Sequence, residues 1–315
     1  MAGKHDGMRY ALGRARLTGS MKTVHNHKKE ASRFVDTLRR LGLGVQNWKN
    51  ITNKHVAMVV TQWQADGYTA GYIKNLLSGV RAICRAYGND RIHEDNSAFG
   101  VERRVYVTNR DKSVPDEVYD RVVATLRAGT DSRQGRLALM LEYERILGLR
   151  FEEACKFNPV RDHHGDQIHI HAGTKGNRPR WEPVWNDLQA DVLDRAKASG
   201  FYRTMADSGM PKGLSEKQWR NYVYRALDKL GLTKKACGGT MHGLRHAYCH
   251  ERYEHLTGFN PPVKFDSREA WAAQAEAAAG LDWQIKDDYA RTVIREEMGH
   301  GVGRDDIDGQ YLGKW

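Results

Sequence analysis

The stretch QIHIHAGTKGNRPRWEPVW, residues 167–185, is where the apolar period of the chain shifts to two. Ile168 and Ile170 mark an outgoing strand, and Trp181, Val184 and Trp185 mark its return. Between them, Gly173-Thr-Lys175-Gly-Asn177 has the turn chemistry to reverse the chain, which predicts a β-hairpin with a long basic tip. Around this hairpin the periodicity is helical. The sequence therefore predicts a mainly α protein whose second, α+β domain carries a small hairpin or sheet.

Downstream, helical segments are expected near 187–198, 215–230, 243–257, 267–279 and 285–299, with joints such as Gly258-Phe-Asn-Pro-Pro262. Upstream, Leu139, Tyr143, Ile146 and Leu147 form the inner face of a helix that Gly148 ends, leaving Arg150 at an element boundary. Ser113-Val-Pro115-Asp-Glu117 starts a further helix with a proline in its first turn, followed by Val118, Val122 and Leu126. The second domain is read as 113–315.

Residues 96–112 are read as a linker, because glycine and a charged run (Glu102, Arg103, Arg104, then Arg110, Asp111, Lys112) replace periodic apolar positions. Residues 21–95 form a helical domain. Its three apolar stripes are Ala31, Phe34, Val35, Leu38; Val56, Val59, Val60, Trp63; and Ile73, Leu76, Leu77, Val80. Thr52 or Asn53 and Thr69 are placed to cap the second and third helices, and Gly42, Gly67 and Gly88 follow the stripes. Residues 1–20, with Lys4, Arg9, Arg14 and Arg16 among glycines, read as a mobile basic arm.

Lys and Arg total 50 against 39 acidic residues in 315, a net charge of +11 that favours a polyanionic partner. Cys84, Cys155, Cys237 and Cys249 show no paired spacing and are read as reduced thiols of a cytoplasmic, nucleoid-associated protein. No stretch approaches the ~18 apolar residues of a membrane span. His163, His164, His169 and His171 lack companion ligands at metal spacing, so no metal site is expected.

Five features of the second domain carry chemistry: Arg150 in Gly148-Leu-Arg-Phe-Glu-Glu153, Lys175, His242-Gly-Leu-Arg245-His246, Met298-Gly-His300, and Tyr311. Two arginines from separate elements can clamp one phosphodiester, because each guanidinium matches two phosphate oxygens. A tyrosine hydroxyl, with its pKa near ~10, needs a base and a positive field to attack at neutral pH. His242 is the candidate base, Lys175 the candidate acid for a leaving sugar hydroxyl, and His300 a further donor to a non-bridging oxygen. Tyr248, Tyr253 and Tyr289 compete with Tyr311 for the role of nucleophile.

In order and spacing these residues resemble the tyrosine recombinase (phage integrase) family: an arginine after a helix, a hairpin lysine, His-x-x-Arg, a Gly-His pair and a tyrosine on a terminal helix. The resemblance implies a pocket of Arg150, Lys175, His242, Arg245 and His300, with Tyr311 as nucleophile. It also implies that Glu153 orients the pocket and that His246 supports it structurally. By the same resemblance, 21–95 is a core DNA-binding domain, and the enzyme cuts and rejoins double-stranded DNA through a 3′-phosphotyrosyl bond. A homotetramer on two sites, with DNA-bending accessory proteins, is expected; ATP, metal and other cofactors are not, since the phosphodiester energy is retained. Two departures stand out: a long Arg245-to-His300 interval suggests an insertion at 258–284, and Tyr311 lies unusually far beyond His300. The rival readings are a DNA-relaxing type IB topoisomerase and an inactive DNA-binding relative.

Overall fold

The computed structural model describes residues 6–103, 105–300 and 305–315. Lys4 of the basic start and Arg104 of the charged run lie outside the described residues. The chain divides into two compact units, Met1–Val105 and Tyr106–Trp315.

The first unit contains α1 (Gly7–Arg14), α2 (Met21–Arg40), α3 (Asn53–Ala65) and α4 (Ala70–Ala86). Thr52 caps α3 through a reciprocal box with His55, Thr69 caps α4, and Gly42, Gly67 and Gly88 take the left-handed conformation that ends each helix. The apolar stripes meet at Phe34, Trp48 and Trp63, all at most 1% exposed. Each such side chain contributes on the order of 1.5–3 kcal/mol by leaving water. The indole of Trp63 donates to Thr37 Oγ1 at 2.9 Å, so its polar edge is satisfied as well.

From Asp6 onward, the start of the chain corrects the expectation of a mobile arm over 1–20; residues 1–5 lie outside the described residues. Asp6 caps α1, Met8 and Leu12 are buried one helical turn apart, and Trp48 donates its indole N–H to the Met8 carbonyl at 3.1 Å. Two apolar residues among glycines and arginines give little local helical signal; the core they dock on holds them.

The second unit runs α5 (Asp116–Arg127), α6 (Ser132–Ile146), α7 (Phe151–Lys156), α8 (Pro159–Asp162), β1 (His163–His164), β2 (Gln167–Ile170), β3 (Arg180–Pro183), α9 (Asp187–Ala198), α10 (Glu216–Lys229), α11 (Lys234–Cys237), α12 (Met241–Thr257), α13 (Arg268–Ala279), α14 (Trp283–Glu297) and α15 (Asp305–Leu312). Pro115 sits at the N-cap of α5 rather than inside its first turn, and Ser113 instead donates to Asp111. The strands form one antiparallel sheet in the order β1-β2-β3. A large core lies among α5, α6, α9, α10 and the start of α12; a smaller one joins α12, α13, α14 and α15 around Tyr253, Trp271, Ile294 and Met298. No described helix is long and apolar enough to cross a membrane.

The register of β3 sets which of its residues face inward. Arg180 pairs with Ile170 and Glu182 with Ile168, and cross-strand partners point to the same side of a sheet. Ile168 and Ile170 are buried, so Arg180 and Glu182 turn inward with them, while Trp181 is 52% exposed and stacks on His169.

Candidate active site

The turn after α6 sets the first arginine. Gly148 has φ +66°, and a Cβ there would lie 2.6 Å from the Tyr248 ring, so only glycine fits. Arg150 follows as the N-cap of α7. Its N–H donates to Glu153 Oε2 at 2.8 Å and its guanidinium to Glu153 Oε1 at 2.7 Å. Arg180 reaches the same carboxylate from β3 with two bonds of 2.8 and 2.9 Å, and Arg245 stands 3.7 Å from it. Burial pushes the Glu153 carboxyl up, but Arg180, Arg245 and Arg150 outweigh it and hold the group down at about 2. Glu153 is therefore the ionised hub of three cations.

Arg245 lies on α12 and is fully buried. Its guanidinium donates to the carbonyls of Gly148 and Met298, the latter at 2.7 Å, and its Nε faces the Tyr311 hydroxyl at 3.4 Å. Arg150 donates to the same Met298 carbonyl at 2.5 Å and has a ring nitrogen of His300 at 3.3 Å. One main-chain oxygen thus fixes both guanidinium groups side by side. Each terminal nitrogen of Arg245 carries a second N–H beyond those spent on its anchors. Gly299, at φ +66°, makes the turn into His300, and a Cβ there would crowd both Arg180 and Arg150.

Three histidines, His242, His246 and His250, recur at four-residue spacing on one face of α12. The Tyr311 ring lies 4.7 Å from His246, 5.9 Å from His242 and 6.3 Å from His300. Burial, then Arg245, Arg150 and Lys112, draws His242 down to about 4. Burial and its two histidine neighbours draw His246 to about 3, and burial takes His250 to about 4. All three are neutral imidazoles at pH 7, so His242 is free to accept a proton.

The structure brings Arg150, Glu153, His242, Arg245, His246, His300 and Tyr311 together. Lys175 stands apart: it is exposed at the hairpin tip, and no hydrogen bond or ion pair among the described residues involves it. The base of that hairpin is fixed, since Gly173 (φ +79°) packs on the Glu152 carbonyl, where a Cβ would fall 2.4 Å away. The rival tyrosines are placed elsewhere. Tyr248 and Tyr253 are buried against Glu297 and Asp287, and Tyr289 is exposed on α14. Sequence reading missed Arg180, Glu182, His250 and the Met298 carbonyl. Only the strand register signals the first two; Glu182, driven up to about 7 by burial against the pull of Arg180, shows how deep that face lies.

Proteins of known family are similar to this chain. Residues 9–93 match the family described as phage integrase, N-terminal, and residues 102–251 match the family described as integrase, together about three quarters of the chain. Among solved structures, a lambda integrase dimer bound to a COC′ core site is similar at 19% identity and TM-score 0.58, covering 98% of this chain and 95% of that one. The Tn1549 transposon integrase in complex with transposon right end DNA is similar at 13% identity and TM-score 0.58, with the same coverage. A lambda integrase tetramer bound to a Holliday junction is similar at 18% identity and TM-score 0.58, covering 96% and 75%. No curated protein matches. Fold and family matches together define an enzyme that breaks and rejoins DNA strands. More narrowly, the chain belongs to the tyrosine recombinase (phage integrase) family, and its reaction is site-specific DNA recombination.

Proposed function

We propose that Tyr311 is the nucleophile of this recombinase and that the observation carrying the assignment is its hydroxyl, 3.4 Å from the Nε of the fully buried Arg245. Arg245 and Arg150 hold the scissile phosphate through the N–H groups their anchors leave over. Tyr311 attacks in line, its proton passing to neutral His242 as the O–P bond forms and the P–O5′ bond breaks. The two guanidinium groups sit where charge develops on the non-bridging oxygens, and because they are fixed in advance, little reorganisation opposes the step. His300, beside Arg150, donates a further bond to the same oxygens. Lys175 protonates the departing 5′-oxygen when DNA draws the hairpin tip inward. The 5′-hydroxyl of a partner strand then reverses the sequence.

Around this chemistry we assign 21–95 to core-site binding, 96–112 to a linker and 113–315 to catalysis, with 258–284 as an insertion. The active assembly is a homotetramer on two sites in the cytoplasm. Its support is the fold shared with lambda integrase, which is known as a tetramer on a Holliday junction.

Covalent trapping tests the assignment. The protein is incubated with nicked duplexes carrying the junctions that flank its own gene, quenched in detergent, and the DNA-linked peptide is mapped. An adduct on Tyr311 that disappears in Tyr311→Phe and Arg245→Ala is expected. An adduct on Tyr289 or another tyrosine would overturn it, and binding without any adduct would favour an inactive DNA-binding relative.

A further inference from the structure

The segment of Tyr311 is tied to the first residues of the second unit. A Cβ on Gly309 would lie 2.9 Å from Cγ2 of Val107, so the Val107 side chain packs directly on the glycine backbone. Two residues on, the Asn109 amide exchanges two hydrogen bonds with the backbone of Lys314, donating to its carbonyl at 2.7 Å and accepting from its N–H at 2.8 Å. Asn109 adopts φ +45°, a conformation that only Asn109 and Asn177 share among the described non-glycine residues. Two residues further, Asp111 lies 4.0 Å from Nδ1 of His250, whose Nε2 bonds the Tyr311 carbonyl at 2.9 Å. Alternate residues of one segment thus bracket the tyrosine from both sides. Gly313 closes the seat, with a Cβ position 2.8 Å from Val263 N and its carbonyl taken by Arg291 at 3.0 Å.

Resting on Tyr311 as nucleophile, we propose that residues 107–111 form a latch in cis and that Asn109 is a positioning residue for the strand-cleavage step. The side chain acts as a short strand edge: its amide satisfies both backbone groups of Lys314 and so fixes the residues just after the tyrosine. None of these residues contacts the Tyr311 hydroxyl; they act by setting where α15 ends. Two neutral hydrogen bonds of this kind set an effect of about tenfold. Because the latch belongs to the chain's entry into this unit, a pull on that entry also shifts the nucleophile.

The full chain is compared with Asn109→Gly, which suits the positive φ while removing the amide, with a chain ending at Gly313, and with the two changes combined. Cleavage rate at saturating nicked duplex, DNA affinity and melting temperature are measured for each, and the wild-type adduct is mapped. Either change is expected to slow cleavage about tenfold with affinity unchanged, and the combination is expected to be no slower than either alone, as changes to one contact do not add. An unchanged or faster rate in Asn109→Gly, or a fully additive double variant, overturns the latch while leaving Tyr311 in place. A wild-type adduct on another tyrosine removes the nucleophile assignment and the latch with it. Should Asn109→Gly melt below the assay temperature, the chain ending at Gly313 decides the matter by the same rate criterion.

Discussion

Glu153 keeps one negative charge among Arg150, Arg180 and Arg245, and its carboxyl at about 2 lies below its ordinary 4.5. That difference stabilises the fold fully above pH 4.5 and is lost as pH falls toward 2. The α12 histidines act in a higher window. Held near 4, 3 and 4 against an ordinary 6.5, they stay neutral in the fold while the unfolded chain takes up their protons. Their contribution is whole above pH 6.5 and falls away from there down to about 3. Between pH 7 and 5 this loss is opposed in part by Glu144 and Glu182, whose carboxyls burial raises, the latter to about 7, so the histidines are read by difference in urea unfolding. In His246→Asn the decline should be shallower by one proton, up to about 1.4 kcal/mol per pH unit. Parallel pH curves for the two proteins would mean that His246 titrates equally in both states.

The hairpin is anchored at one end and free at the other. Its base is locked by Gly173 on α7 and by Arg180 on Glu153, while its tip carries Lys175 into solvent. If Lys175 is the acid, Lys175→Ala should slow cleavage of an ordinary phosphodiester by about 100-fold or more. The same variant should cleave near the wild-type rate when the 5′-bridging oxygen is sulfur, since a thiolate leaves without a proton. Equal defects on both substrates would assign Lys175 to binding. The long elements and the Arg150, Arg245 and His242 positions were legible because helical period and motif order survive in one dimension. Arg180 was not, because a period of two names two faces without saying which is inner. The eight-residue α1 and the still shorter α7, α8 and α11 are too short for periodicity, and tertiary burial or capping holds them. His250 and the Asn109 contact join residues 61 and 205 positions apart, which no local pattern announces.

For the molecule as a whole, the net charge of +11 and the pair of Arg150 and Arg245 make separate contributions. Binding to duplex DNA should weaken with salt along a log–log slope of about −0.9 per phosphate contacted. Arg245→Lys should leave that slope within about one unit of wild type, since the residue is buried, yet lose cleavage because an ammonium cannot reproduce a planar fork held at three points. A slope collapsing with cleavage would place Arg245 in affinity instead. The oxygen that aligns the two arginines belongs to the main chain of Met298, and every amino acid carries that atom. No codon change at 298 deletes it. What inheritance can damage is its aim, which rests on glycines at 148 and 299 and on how the side chain at 298 packs between them.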